Sequence, residues 1–249
     1  MKKHIILASA SPRRKELLEQ IGLPFEVRTS GANEITKAIN PEDIGKELSQ
    51  IKAQAVWDTL TEKEKADAVV IGADTIVCVS KEPEGKESFT KYEDEHGNEQ
   101  KYECKNGYGQ KIEDESEREN GKKSRNEQLM TRRDEGTFLI LGKPKDEADA
   151  AHMLRLLSGR VHQVFTGVTI LSKEKTTHFY ECTDVHVAKL TETEISEYIA
   201  TKDPMDKAGA YGIQGMFARY ITGIEGDYNT VVGLPVCTLY HELQKFGEQ

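Results

Sequence analysis

A mixed α/β domain is the fold the sequence predicts, on three observations. Short apolar runs alternate with helical patterns along most of the chain. Ser-Pro and Asn-Pro pairs stand where helices would begin, and glycines where they would end. One stretch, AVVIGADTIVCVS, is apolar on both sides of a Gly-Ala-Asp-Thr break, which suits a buried central strand carrying polar groups at one point.

The first apolar run, HIILAS, reads as a strand. Ser11 then stands as an N-cap with Pro12 at the first helical position, and Leu17, Leu18 and Ile21 recur at helical spacing until Gly22 stops the helix. PFEVRTS reads as a second strand. Asn40 and Pro41 repeat the cap-then-proline device and open a helix through about Leu60, with Ile44, Leu48, Ile51 and Ala55 on one face. AVVIGADTIVCVS follows as the central strand. TFLILGKPKD is again strand-like, and DEADAAHMLRLLSG is a helix ended by Gly159. RVHQVFTGVTILS and THFYECTDVHVAKL are β-rich runs separated by KEKT, which predicts a hairpin. Helices at roughly 191–201 and 235–246 flank the glycine-rich DKAGAYGIQG.

Residues 81–136 break this pattern. Of these 56 residues, 28 are charged, with one Ile, one Leu and no Val or Ala. Such a stretch cannot bury enough apolar surface to offset the entropy of ordering it, so the expectation is a single domain over 1–249 interrupted by a mobile, disordered insertion. A docking segment is the alternative. The chain's formal charge of −9 argues against a duplex nucleic-acid binder, so any cationic patch must be local. No apolar run reaches the roughly 18 residues of a membrane span, and the N-terminal stretch is too short for a signal peptide. A cytoplasmic protein without membrane or nucleic-acid partners is expected. The four cysteines show no C-x-x-C spacing, so zinc is not expected.

Several polar residues stand where a fold alone does not need them. Arg13 and Arg14 fall in the first turn of a helix directly after a strand, where free backbone N–H groups favour an anion. Lys143 closes a strand in GKP. Lys207 opens DKAGAYGIQG, whose glycines at 209, 212 and 215 would permit close backbone approach to a ligand. Lys52 lies beside the apolar stripe of its helix. Each could be a solvated charge; together, in an acidic protein, they suggest a polyphosphate site. Asp74 interrupts an apolar strand, where a carboxylate needs a cation or a catalytic task, although a hydrogen-bonded structural role is the bland alternative. Glu34, in a turn, could join it: water attack on a phosphate ester needs a base and a divalent ion.

The motifs SASPRR, GADT, GKPKDEADAAHMLRLLSGRVHQVFTGVTI, DKAGAYGIQG and VVGLP, in this order, resemble the Maf family of nucleoside triphosphate pyrophosphatases. The resemblance spans nearly the whole chain outside the insertion, which falls where the family has a short hairpin. It implies a Maf/inosine-triphosphatase-like mixed sheet with two lobes around a deep cleft, a homodimer, and hydrolysis of a nucleoside triphosphate to the monophosphate and pyrophosphate with Mg²⁺ or Mn²⁺. It further implies Asp74 as the base toward water, with Lys52 and Glu34 beside it and Glu34 and Asp74 as metal ligands. Ser9, Arg13, Arg14, Lys143 and Lys207 would line the phosphate end. Arg13, Thr75 and Gln214 match the subgroup acting on dTTP and UTP. There are two departures: Asn33 stands where an acidic residue commonly precedes Glu34, and Ile51 where a polar one precedes Lys52. A same-fold pyrophosphatase for a modified purine nucleotide, or a nucleotide-binding regulator of cell division without activity, are the competing readings.

Overall fold

The computed structural model describes residues 3–29, 31–80 and 138–247. Every described element belongs to one compact unit, residues 1–81 with 130–249; the second unit, 82–129, and with it the expected mobile insertion, lies outside the described residues. The fold is mixed α/β. In chain order its elements are β1 (His4–Leu7), α1 (Pro12–Gln20), β2 (Glu26–Val27), α2 (Pro41–Trp57), α3 (Glu62–Lys65), β3 (Ala68–Ser80) and β4 (Phe138–Leu141). There follow α4 (Glu147–Leu157), β5 (Val161–Ser172), β6 (Thr176–Val187), α5 (Glu192–Ala200), β7 (Ile221–Glu225), α6 (Tyr228–Val232) and α7 (Val236–Gly247). Three short 3₁₀ turns lie between α5 and β7, inside and around DKAGAYGIQG.

The sheet runs β2-β1-β3-β5-β6-β7, with β4 also paired to β3. β1 is parallel to β2 and β3, while β4 and β5 are antiparallel to β3, and β6 is antiparallel to β5 and β7. Side chains of β3 alternate between two apolar layers, as a strand's pleat requires. Val69, Ile71, Ala73, Val77 and Val79 face the main core with α1, α4, α5 and α7; Ala68, Val70 and Ile76 face α2. Among the described residues, no helix is long and apolar enough to cross a membrane.

Pro12 and Pro41 open α1 and α2 as expected, but the side chains of Ser11 and Asn40 cap neither helix. α2 ends at Trp57, short of Leu60, and its buried face is Ile44, Gly45, Leu48, Ser49, Ala53 and Val56. Ile51 and Ala55 are only half-buried. The reason is that Gly45 and Ser49, which look polar in sequence, face the sheet: Ser49 Oγ bonds Thr169 Oγ at 2.8 Å. PFEVRTS yields only a two-residue strand, and β7 was not expected at all.

Candidate active site

β3 is thirteen residues long, and its outer edge is shared by two short strands. β1 pairs its first part, up to Leu7 opposite Ile71; β4 pairs its last part, from Leu141 opposite Val77. Between them, residues 72–76 have no strand partner on that side among the described residues. The only half-buried residues between Ala68 and Val79 are Asp74 and Thr75. Chain leaving β1 carries Ser9 to Arg14 over the gap from one end, and chain leaving β4 brings Lys143 from the other. Because successive side chains point to opposite faces, Asp74 turns toward α2 and Thr75 toward α1, and a cleft of about 630 Å³ wraps the open edge. The split edge is the sheet's equivalent of a switch point, where open α/β sheets bind ligands.

Ser9, Arg13, Arg14, Glu34, Lys52, Asp74, Thr75, Lys143, Lys207 and Gln214 all line this cleft. On the α2 side, the Lys52 ammonium donates to Asp74 Oδ1 at 2.5 Å and contacts Glu34 Oε2 at 3.0 Å. It reaches them because α2 lies unusually close to the strand. A Cβ on Gly72 would fall 2.1 Å from the carbonyl oxygen of Ser49, so only glycine permits this approach. Two carboxylates held on one cation can together meet a second cation brought by a ligand.

On the α1 side, Arg14 is buried, and its guanidinium donates to the Gly233 carbonyl at 2.8 Å, to Ser9 Oγ at 3.1 Å and to Thr75 Oγ at 3.1 Å. Burial pushes its pKa down and the Asp74 charge pulls it up, with the net below the ordinary arginine value. Arg14 therefore organises the cleft wall. Arg13 is more exposed, 3.9 Å from Asp206, and Lys143 and Gln214 are exposed at the rim.

The glycine-rich loop is also closely packed against the protein itself. A Cβ at Gly209 would strike the Val77 side chain at 2.8 Å, one at Gly212 the Lys207 side chain at 2.7 Å, and one at Gly215 the Asp203 carboxylate at 3.0 Å. These glycines let the loop pack closely on its own protein, and Gly212 and Gly215 also line the cleft. Lys207 spends its three hydrogens on Asp203 O, Asp203 Oδ1 and Asp206 Oδ1, at 2.7, 2.9 and 2.7 Å. Asp203, Asp206 and Tyr211, which the sequence reading missed, also line the cleft. Burial raises the Asp203 carboxyl, but hydrogen bonds from Tyr198 and Lys207 outweigh it and hold the group below its ordinary value. The four-residue spacing of Asp203 and Lys207 was the available signal. Tyr198 also accepts from the Gly212 N–H at 3.1 Å, which ties the loop to α5.

A cleft lined by arginines, lysines and two paired carboxylates at the split edge of a mixed sheet has the charge pattern to take a polyanionic ligand. The chain belongs to the Maf-like protein family, whose model matches residues 4–102 and 95–246. It is similar to proteins named dTTP/UTP pyrophosphatase: 43% identical to one from Agathobacter rectalis, with 98% of this chain and 97% of that protein covered. It is 39% identical to one from Lachnoclostridium phytofermentans, with 98% and 95% covered. To one from Bacillus cytotoxicus it is 42% identical, with 98% and 96% covered.

Proposed function

We propose that the protein is a nucleoside triphosphate pyrophosphatase hydrolysing dTTP and UTP to the monophosphate and pyrophosphate. The observation that carries this reading is the Lys52 ammonium joined to both Asp74 and Glu34 in a cleft that Arg13 and Lys143 also line. Water adds to the α-phosphorus, the bond to the oxygen bridging the α and β phosphorus atoms breaks, and pyrophosphate leaves with that oxygen. Asp74 takes the proton of water: its Oδ1 is on Lys52, while Oδ2 has no protein hydrogen bond among the described residues. Lys52 and Arg13 offset phosphate charge, the electrostatic stabilisation that, with positioning, is most of what a protein can supply to such a reaction.

A Mg²⁺ or Mn²⁺ ion fits the same reading. Among the described residues, no group of three or more His, Cys, Asp and Glu could cage a metal. Mg²⁺, however, is typically held by one or two carboxylates plus water and substrate phosphates, and Glu34 and Asp74 supply such a pair. Bound there, the ion would neutralise developing charge on the phosphate oxygens. Such an enzyme would serve the cytoplasmic nucleotide pool. The test is pyrophosphate release from a panel of canonical and modified nucleoside triphosphates with Mg²⁺ or Mn²⁺. dTTP and UTP should have the highest kcat/KM, and excess EDTA should abolish turnover. A higher kcat/KM for GTP or ATP than for UTP would overturn the substrate assignment.

A further inference from the structure

The hydroxyls around Arg14 have a fixed polarity that can be read from their partners. A threonine hydroxyl has one hydrogen and two lone pairs, and a carbonyl can only accept. Thr166, fully buried on β5, donates its hydrogen to the Thr230 carbonyl at 2.7 Å. In its 3.0 Å contact with Thr75 Oγ, directly across the strand pair, Thr166 must therefore accept, and Thr75 donates. Arg14 occupies one lone pair of Thr75. What Thr75 has left for the cleft is one lone pair and no hydrogen. Ser9 is the reverse: it accepts from Arg14 at 3.1 Å and from the Ser11 N–H at 3.2 Å, so only its hydrogen remains.

A lone pair cannot bind a phosphate oxygen, which has only lone pairs to offer. On dTTP or UTP the donors are the imide N3–H of the base and the sugar hydroxyls, of which dTTP keeps only the 3′ one. We propose that Thr166, without touching the ligand, makes Thr75 an obligate acceptor for the imide N–H, and so selects uracil and thymine over cytosine, whose N3 carries a lone pair. This rests on the reading of the cleft as a dTTP and UTP site. Thr166 is a positioning residue: it drains the Thr75 hydrogen away into the Thr230 carbonyl.

The experiment compares kcat/KM for UTP and CTP, which share one ribose. In Thr166→Val the shape is kept, but Thr75 recovers a hydrogen it can turn to cytosine N3. The UTP:CTP ratio should fall about tenfold or more, mainly through a gain with CTP, and Thr166→Ser should restore it. For the unaltered protein, N3-methyl-UTP, which lacks the donor, should show a kcat/KM at least about tenfold below that of UTP; this arm needs no variant to fold. The proposal is overturned by a folded Thr166→Val with an unchanged ratio, by equal losses on UTP and CTP, or by N3-methyl-UTP turned over as fast as UTP. Failure of the unaltered protein to release pyrophosphate from UTP would instead defeat the functional reading, and shows before any variant is made.

Discussion

The two oxygens of Asp74 divide its duties, one on Lys52 and the other free of protein partners among the described residues. Asn in its place keeps the shape and one acceptor, but it can neither take a proton from water nor hold a cation as a carboxylate does. Asp74→Asn should lower kcat about 10²- to 10⁴-fold while nucleotide affinity stays within a few fold, measured by pyrophosphate release and by binding titration. A near-normal rate would move the base role to Glu34. Asp74 was legible because a carboxylate in an apolar strand is anomalous in the sequence itself. Thr166 and His162 were not, since a threonine or histidine in a β-rich run gains its role only from what stands across the sheet. His162 is fully buried, bonds Tyr211 Oη at 2.7 Å through Nε2, and leaves Nδ1 without a partner among the described residues. Burial, with the nearby His186 charge adding to it, pushes its pKa from 6.5 down to about 3. Between those values the unfolded chain binds a proton that the folded one does not, so stability is full above pH 6.5 and drains away as pH falls toward 3. The slope is up to about 1.4 kcal/mol per pH unit. Urea unfolding at pH 7.5 and 5.0, above the range of most carboxylates, should show this loss. His162→Gln should flatten it, and an unchanged pH dependence in that variant would assign the effect to other groups.

At the scale of elements, the site depends on how near α2 lies to β3. Gly72 makes room for the Ser49 carbonyl, and three residues further along α2, Lys52 meets Asp74. A methyl group at position 72 would press on backbone, at 2.1 Å from Ser49 O and 2.9 Å from Ala53 N, and backbone cannot swing aside as a side-chain tip can. The helix must move. Gly72→Ala should cost about 1–3 kcal/mol of stability, seen as a lowered Tm. Because a misplacement near 1 Å can cost about a hundredfold in rate, kcat should fall by more than the loss of folded protein explains. Retained activity at a lowered Tm would show that Lys52 follows Asp74 by side-chain adjustment alone. The elements that came clearly from sequence were those with long periodic runs or a clean turn, such as α4, α5 and the β5–β6 hairpin. β7 was hidden because ITGIE is short and glycine-interrupted; it is a strand through its pairing with β6, across a register shift at His186 and Val187. The α2 face was misjudged where glycine and serine stand in for apolar residues at a close contact.

At the scale of the molecule, the cleft draws on chain both before and after the long charged segment, so its integrity turns on whether β3 and β4 close. They do: Ser80 pairs with Phe138 and Val77 with Leu141 in continuous antiparallel register. All ten residues singled out from sequence lie outside 81–137 and share one cleft. Seven of the ten were grouped from residue type and position, whereas Ser9, Thr75 and Gln214 were legible only through family motifs, since the gap between β1 and β4 that exposes Thr75 is a property of strand pairing, not of any local run. Deleting residues 82–135 would leave Lys81, Gly136 and Thr137 to join the paired ends. Three residues with a glycine is a common hairpin connection. Closure entropy changes by only about 0.6 kcal/mol per doubling of loop length, so the shortened chain should melt no lower than the full one. Its kcat/KM for UTP should stay within about tenfold, a barrier change below about 1.4 kcal/mol. A larger loss at unchanged Tm would mean that the charged segment contributes to the cleft itself, whereas a loss together with a lowered Tm would place its contribution in folding the β3–β4 pair.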